Sequence, residues 1–168
     1  MFKSKKLSKF KNIEHAFFNK LGGKSIGIFK SLNCGPGSSD NKKNIQKNLE
    51  IVRNKINTKS KKIVLLNQVH SSCFHYISKN SNLHNNKLEG DALITDKKNL
   101  PIAVLTADCA PILIHDEKKN MIAAIHAGWK GAYKGIVKKV VKFMVKKGCS
   151  PKNITAAIGP CISRNNYE

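Results

Sequence analysis

Cys109 stands at the mouth of an apolar run rather than inside it, and the sequence around it suggests why. The runs "PILIHD" and "MIAAIHA" are separated by the polar "EKKN", which predicts a hairpin that pairs Asp116 with Met121 and Pro111 with His126. Residues paired across a sheet lie about 4.5–5.5 Å apart at Cα. We therefore expect Cys109 and His126 to meet at the open end of this hairpin.

His70 is a third candidate, because it ends the run "VLLNQV" and should lie at a strand end like His126. Two imidazoles and a thiolate are three ligands for zinc or copper, and the fourth position stays open for water or substrate, as in catalytic sites. The same residues fit a cysteine hydrolase, with Cys109 as nucleophile, His126 as general base and Asp108 or Gln68 as orienting group. A structural role at strand ends is a third interpretation.

The stretch "AGWKGAYKG" follows His126 and predicts a tight turn into a helix at Gly128 and Gly131. The N-terminus of such a helix carries free N–H groups and a positive dipole, which suit phosphate, and Lys130 could assist. An ordinary strand-to-helix turn explains the same residues. By contrast, His115 falls at the far end of the hairpin and is not expected in the site.

These residues must be positioned by an α+β fold with layered mixed or antiparallel β-sheets flanked by helices, since short apolar runs follow one another closely and a regular βαβ alternation is absent. Helices are predicted after a cap at Ser39 or Asp40, through Ile56, and from about Gly131 to Lys147, where Gly148 is a natural stop. Strands are predicted at 62–66, 73–77, 91–95, 101–106, 111–116, 121–127 and 153–159.

The net charge of +21 comes from 31 basic residues, of which all but Arg53 and Arg164 are lysine. These lysines are scattered without interleaved aromatic residues, so they indicate a solvated face rather than a specific nucleic-acid site, although a basic nucleic-acid-binding module is the non-enzymatic alternative. No apolar run approaches the length of a membrane span. The five cysteines form no C-x-x-C pair and no export signal is visible, which predicts a reduced, cytoplasmic protein.

The motifs "NQVHSS", "EGDALIT", "LTADCAPILIHD", "AAIHAGWKGAYKGIV" and "AIGPCIS" occur here in one order. In these five motifs and their order, the sequence resembles the YfiH-type family, also called the multicopper polyphenol oxidoreductase or laccase-like family. The resemblance implies zinc or copper on His70, Cys109 and His126. It implies phosphorolysis of adenosine, inosine and methylthioadenosine to a free base and a sugar 1-phosphate, together with adenosine deamination. Copper-dependent phenol oxidation is a further alternative, raised by the family's older name.

Two lysines depart from the family pattern, since Lys20 and Lys130 stand where arginine is usual. Lysine keeps the charge but loses the bidentate fork, so weaker phosphate or substrate binding is expected. Asp108 is the candidate acid for the departing base, and Gln68 is a candidate substrate contact whose alternative role is to cap a strand end. Family members usually continue well past the matched region, so residues 1–168 are expected to be one catalytic domain shortened at its C-terminus.

Overall fold

A five-stranded mixed sheet forms the centre of the computed structural model, which describes residues 1–60, 62–78, 81 and 88–167. The strands lie in the order β1-β2-β4-β3-β5; β1 and β2 are parallel and every other pair is antiparallel. Helices cover the sheet, so the predicted α+β class with mixed strands is confirmed. The strands are β1 (Phe74–Ile77), β2 (Ala92–Thr95), β3 (Ala110–Asp116), β4 (Met121–Ala127) and β5 (Ile154–Ile158).

The β3–β4 hairpin has the register predicted from the sequence, with Asp116 opposite Met121 and Pro111 opposite His126. Its turn is closed by a hydrogen bond of 2.8 Å from the Lys119 N–H to the Asp116 carboxylate. Asn120 takes the left-handed conformation, with φ 51°, that a tight turn needs and that asparagine tolerates. Local turn chemistry thus fixes the register that brings Cys109 toward His126.

Helix α1 (Lys42–Lys55) has its cap one residue after Asp40, the later of the two predicted caps. Asn41 is the cap, since its side chain accepts a hydrogen bond from the Lys43 N–H at 2.9 Å. Asp40 cannot serve, because its carboxylate accepts from the Asn41 N–H and from the Asn33 amide within the preceding loop.

The single helix predicted at 131–147 is wrong, because Gly135 interrupts it with a left-handed φ of 74°. The chain instead forms α2 (Trp129–Tyr133) and α3 (Ile136–Lys146). Helix α3 buries one face against β2 and β4. It ends at Gly148 as predicted: the N–H groups of Gly148 and Cys149 bond back to the Val145 and Met144 carbonyls, as in a Schellman motif.

Two predicted strands, 62–66 and 101–106, are not strands. They touch at one isolated parallel bridge, Val64 with Ile102. Their apolar side chains pack in a small cluster against Leu93 and Ile77, on the sheet face away from α3, instead of extending the sheet. Short 3₁₀ turns occupy Leu7–Lys9, Gly27–Phe29, Pro151–Asn153 and Arg164–Asn166.

The helices in the described part of the chain are all too short or too polar to cross a bilayer. The expected cytoplasmic location and the absence of a specific nucleic-acid partner stay predictions.

Candidate metal centre

His70, Cys109 and His126 come together at the open end of the β3–β4 hairpin. One donor atom from each of the three side chains lies within 4.8 Å of the others. The Cys109 Sγ is 3.8 Å from the His70 Nε2, and the two imidazole rings meet edge to face with centroids 4.8 Å apart. The convergence predicted from the hairpin and from the position of His70 is therefore present.

Asp91, which directly precedes β2, orients His126. The pairing of Ala92 with Ile125 places Asp91 opposite His126, and the His126 N–H donates to the Asp91 carbonyl at 2.7 Å. The His126 Nδ1 lies 2.8 Å from the Asp91 Oδ1, and both side chains are buried. A carboxylate on Nδ1 fixes the ring orientation and leaves Nε2 available as a metal ligand, as in carboxylate–histidine–metal arrangements.

The Asp91 carboxylate also holds the loop that carries His70. It accepts hydrogen bonds from the His70 N–H at 3.1 Å, from the Ser71 N–H at 2.5 Å and from the Ser71 hydroxyl at 2.7 Å. His70 has a left-handed φ of 56°, and these bonds support that uncommon conformation. Burial by itself would raise the pKa of Asp91, but the hydrogen bonds from His126 and Ser71 outweigh burial and lower the pKa.

Gly128 provides the space into which the three side chains converge. A Cβ at this position would lie 2.8 Å from the His70 Cδ2 and 3.2 Å from the Cys109 Sγ. Gly131 is equally constrained, since a Cβ there would lie 2.6 Å from the Ser71 carbonyl oxygen. The absence of side chains at the two glycines thus lets the loop with His70 and Ser71 pack closely against the start of α2.

The donor set and its spacing fit zinc or copper. Tetrahedral zinc with bonds of about 2.3 Å to sulfur and about 2.0–2.1 Å to nitrogen holds these atoms about 3.6 Å apart, close to the observed sulfur–nitrogen distance. Imidazole and thiolate are ligands that both metals accept. The buried Asp91 supplies the outer hydrogen bond that such sites use. His70, Cys109 and His126 are thus able to hold a metal ion and to leave one coordination position open.

The Cys109 thiol has little of the character of an activated nucleophile. Burial first, and then the negative charges of Asp108 and Asp91, raise its pKa. Reactive cysteines are instead found where positive charge or a helix N-terminus lowers the pKa. Its hydrogen-bond contact is with His70 rather than with His126, the base that the hydrolase interpretation requires.

The family model described as multi-copper polyphenol oxidoreductase laccase matches residues 14–168. The chain belongs to this family. The match spans the whole of the sheet and all three residues of the His/Cys/His group.

Curated members of the laccase-like family that resemble this chain are named purine nucleoside phosphorylase. The protein of Bacteroides thetaiotaomicron is 35% identical over 169 residues, covering 96% of this chain and 63% of the relative. The protein of Rickettsia prowazekii is 38% identical over 159 residues, covering 94% and 61%. The chain therefore spans about three-fifths of the length of these relatives.

Solved structures support the same membership. The crystal structure of the hypothetical protein YfiH from Bacillus licheniformis superposes with a TM-score of 0.82 at 31% identity, over 88% of this chain and 58% of that one. YlmD from Geobacillus stearothermophilus gives a TM-score of 0.80 at 28% identity, over 88% and 57%.

The remaining predicted site residues of this laccase-like chain are placed differently. Gln68 is committed to the backbone: its amide donates to the Leu105 carbonyl and accepts from the Leu105 N–H, both at 2.7 Å. These bonds join two segments that are not strands, so the predicted strand-capping role is replaced by a link between two loops. Asp108 is exposed and adjoins Cys109, and Lys130 is exposed on α2 with its ammonium 5.5 Å from the Trp129 ring centroid.

Lys20 lies in the N-terminal loops, where its carbonyl accepts from the N–H groups of Ser31 and Leu32. The substrate contacts expected of Lys20, Gln68, Asp108 and Lys130 stay predictions. Sequence reasoning missed Asp91 and Ser71, although Asp91 carried a signal, namely a charged residue directly ahead of the apolar run "ALIT".

Proposed function

We propose that this chain carries the catalytic centre of a purine nucleoside phosphorylase. The observation that carries the proposal is the His/Cys/His group, built on the matched part of a chain whose relatives bear that name. The proposed reaction takes adenosine, inosine or methylthioadenosine with phosphate and releases the free base and the sugar 1-phosphate. Hydrolytic deamination of adenosine is proposed at the same centre: water adds to C6, the bond from C6 to the amino group breaks, and inosine and ammonia are released.

His70, Cys109 and His126 would hold zinc or copper in this proposal. When bound, the metal supplies a Lewis acid that polarises oxygen ligands. The chain supplies the geometry: Asp91 fixes the His126 ring and the His70 loop, and Gly128 keeps the centre free of side chains. The same residues would position phosphate against the anomeric carbon of the nucleoside.

Besides the three proposed metal ligands, phosphorolysis needs a positive charge that binds phosphate and an acid that protonates the departing base. We propose that Lys130, exposed one turn after His126, attracts phosphate, and that Lys20 contributes to anion binding from the N-terminal loops. A phosphate oxygen forms the new bond to C1′ while the bond from C1′ to the base breaks and its electron pair stays on the base. Asp108 is proposed to give the base its proton, since it is exposed beside Cys109.

The raised pKa of Cys109 argues against the cysteine hydrolase alternative. Phenol oxidation with oxygen needs several coppers, and within the described residues the structure gathers a single group of this type. Neither alternative has an observation that favours it over phosphorolysis.

The test is incubation of the zinc-loaded protein with adenosine and phosphate, followed by chromatography of adenine, inosine and hypoxanthine. Wild type should form products, and Cys109→Ala should reduce their rate of formation by at least about 100-fold, since catalytic metal chemistry is worth several kcal/mol. The matched control is Cys73→Ser, an exposed cysteine outside the His/Cys/His group, which should behave like wild type. Equal product from wild type and Cys109→Ala would remove the proposed centre.

A further inference from the structure

Acidic residues are distributed unevenly along the chain. The whole chain has 10 of them, yet residues 118–167 contain none, and the same stretch carries 11 lysine and arginine residues. Helix α3 lies in the middle of this stretch. The lysines of α3 therefore find no opposite charge within their own segment, and a counter-charge has to come from another element or from a partner.

Helix α3 presents a solvent face that consists almost entirely of lysine. Its exposed residues are Lys138, Lys139, Lys142, Val145 and Lys146, whereas the opposite face is buried against the sheet. We call the four lysines the α3 lysine face. The ion pairs between described residues include no member of this face. Because like charges four residues apart on a helix repel each other, binding of an anion to this face relieves a repulsion.

Three lysines of the face form a straight row. Lys138, Lys142 and Lys146 follow one another at intervals of four residues, so the rise of about 1.5 Å per residue spreads them over about 12 Å. Lys139 is used differently, since its ammonium donates to the Ser72 hydroxyl at 2.6 Å. One strand of duplex nucleic acid places a phosphate about every 3.4 Å along its axis, so about three phosphates lie within the length of the row.

The composition of the α3 lysine face distinguishes between classes of polyanion. A helix that lies on a membrane combines lysines with large apolar residues that enter the bilayer, and the apolar side chain here is Val145 alone, which is 39% exposed. Interfaces with proteins have an apolar or aromatic centre, which the exposed residues of α3 also lack. Interfaces with nucleic acid are polar and strongly positive, as this face is.

We propose that the α3 lysine face binds the phosphodiester backbone of double-stranded nucleic acid without regard to sequence. Lysine supplies a point charge and lacks the planar fork with which arginine recognises a guanine edge. The exposed residues of α3 include no aromatic ring on which an unpaired base could stack. The expectation of no specific nucleic-acid partner is therefore kept, and this binding does not depend on the metal centre or on the proposed enzymatic function.

The experiment is an anisotropy titration of the full chain with a fluorescent DNA duplex of about 20 base pairs, at salt concentrations from about 50 to 200 mM. Each phosphate neutralised by a lysine contributes about −0.9 to the slope of log K against log salt. The row of three lysines should therefore contribute about −2.7 to the slope, which corresponds to a loss of affinity of about 40-fold over this range.

The α3 variant combines Lys138→Gln, Lys142→Gln and Lys146→Gln. Its slope should be less steep than that of wild type by about 2.7, and at about 50 mM salt it should bind the duplex at least about tenfold more weakly. Glutamine has nearly the helix propensity of lysine, so we expect α3 to form in this variant, and circular dichroism checks that it does. If the α3 variant does not fold, Lys142→Gln alone should reduce the slope by about 1.

The matched control combines Lys5→Gln, Lys6→Gln and Lys9→Gln. These three lysines are exposed in the N-terminal segment, and their replacement lowers the net charge by the same amount. The slope of the control variant should differ from that of wild type by less than about 1, because its α3 lysine face is intact. Equal losses in the two triple variants would overturn the proposal, since net charge and not the α3 lysine face would then govern binding.

Two further measurements test the nature of the partner. Wild type should bind duplexes of two unrelated sequences with Kd values within about threefold, and a difference above about tenfold would overturn binding without regard to sequence. Vesicles with about 30% phosphatidylglycerol should bind more weakly than the duplex at the same salt concentration. Tighter binding to the vesicles, lost in the α3 variant, would assign the face to a membrane surface and overturn the proposal.

Discussion

Two histidines of the β3–β4 hairpin are almost equally buried but differ in the hydrogen bonding of their rings. His126, at the open end, is 3% exposed, and its ring is bonded to the Asp91 carboxylate. His115, near the turn, is 1% exposed, and neither of its ring nitrogens has a hydrogen-bond partner among the described residues. Its ring packs edge-on against Phe10, at a centroid distance of 4.8 Å. Burial therefore does not distinguish these two histidines, whereas the carboxylate partner does.

The two histidines differ because a carboxylate lies beside the ring of His126 and none from the described residues is bonded to the ring of His115. Asp91 directly precedes β2 and reaches His126 because β2 pairs with β4. At the other end, burial lowers the pKa of His115, and the nearby charges of Asp116 and Glu117 only partly offset this. His115 therefore packs like an apolar ring, and its two buried nitrogens lower the stability of the fold because they have lost their hydrogen bonds to water.

Removal of the carboxylate should have the largest effect. Asp91→Ala leaves one buried donor of His126 and three partly buried donors of His70 and Ser71 without their acceptor, so we expect the free energy of unfolding to fall by about 3–5 kcal/mol in urea titrations. Asp108→Ala, an exposed aspartate nearby, should change it by less than about 0.5 kcal/mol. Equal losses in the two variants would mean that the hydrogen bonds to Asp91 do not stabilise this end of the hairpin.

The same carboxylate sets a pH dependence with a defined sign. Because the folded-state pKa of Asp91 is lowered below 3.8, its contribution is present above pH 3.8 and is lost as the pH falls through the folded-state value. Wild type should therefore lose stability below pH 3.8 more steeply than Asp91→Asn.

Filling the space at the site should have an intermediate effect. Gly128→Ala would place a Cβ 2.8 Å from the His70 ring and displace it, so zinc affinity should fall about 10–100-fold in a chelator competition titration. Gly37→Ala is the matched control, because Gly37 is exposed and a Cβ there meets nothing within 4 Å. Unchanged affinity in Gly128→Ala would mean that the three side chains do not need this space.

The other end of the hairpin should respond least. His115→Phe removes two unpartnered nitrogens and should leave stability at pH 7.5 equal or slightly higher. Because the pKa of His115 is lowered from 6.5 in the folded state, wild type loses stability as the pH falls below 6.5, by at most about 1.4 kcal/mol per pH unit for one proton.

His115→Phe should flatten this slope in unfolding measurements between pH 7.5 and pH 5.5. A residual slope is expected from His15, whose pKa is also lowered, mainly by burial. A slope identical to that of wild type would contradict the contrast between His115 and His126.

Sequence reasoning succeeded where contacts are local. The hairpin register follows from a four-residue turn between two apolar runs, and it led directly to Cys109 beside His126. The stop at Gly148 likewise needs only the last turn of α3.

It failed where a contact depends on distant pairing. Asp91 reaches His126 through a strand pairing across 35 residues, and nothing local to "EGDALIT" reveals that partner. The runs at 62–66 and 101–106 have strand-like composition but find each other at one bridge, since their apolar side chains are used in a separate cluster. The break at Gly135 was not visible in the sequence either, because an isolated glycine inside a helical pattern is tolerated at a cost of about 1 kcal/mol relative to alanine.

The register between β3 and β4, which continues from the Ala110–Ala127 pair toward Cys109 and Gly128, has a consequence for refolding. A slip of one residue between β3 and β4 would turn Cys109 to the opposite face and leave the two imidazoles without their sulfur. If the group binds zinc as proposed, misaligned chains would not bind it, and zinc uptake during refolding would report the fraction of molecules with the correct strand alignment.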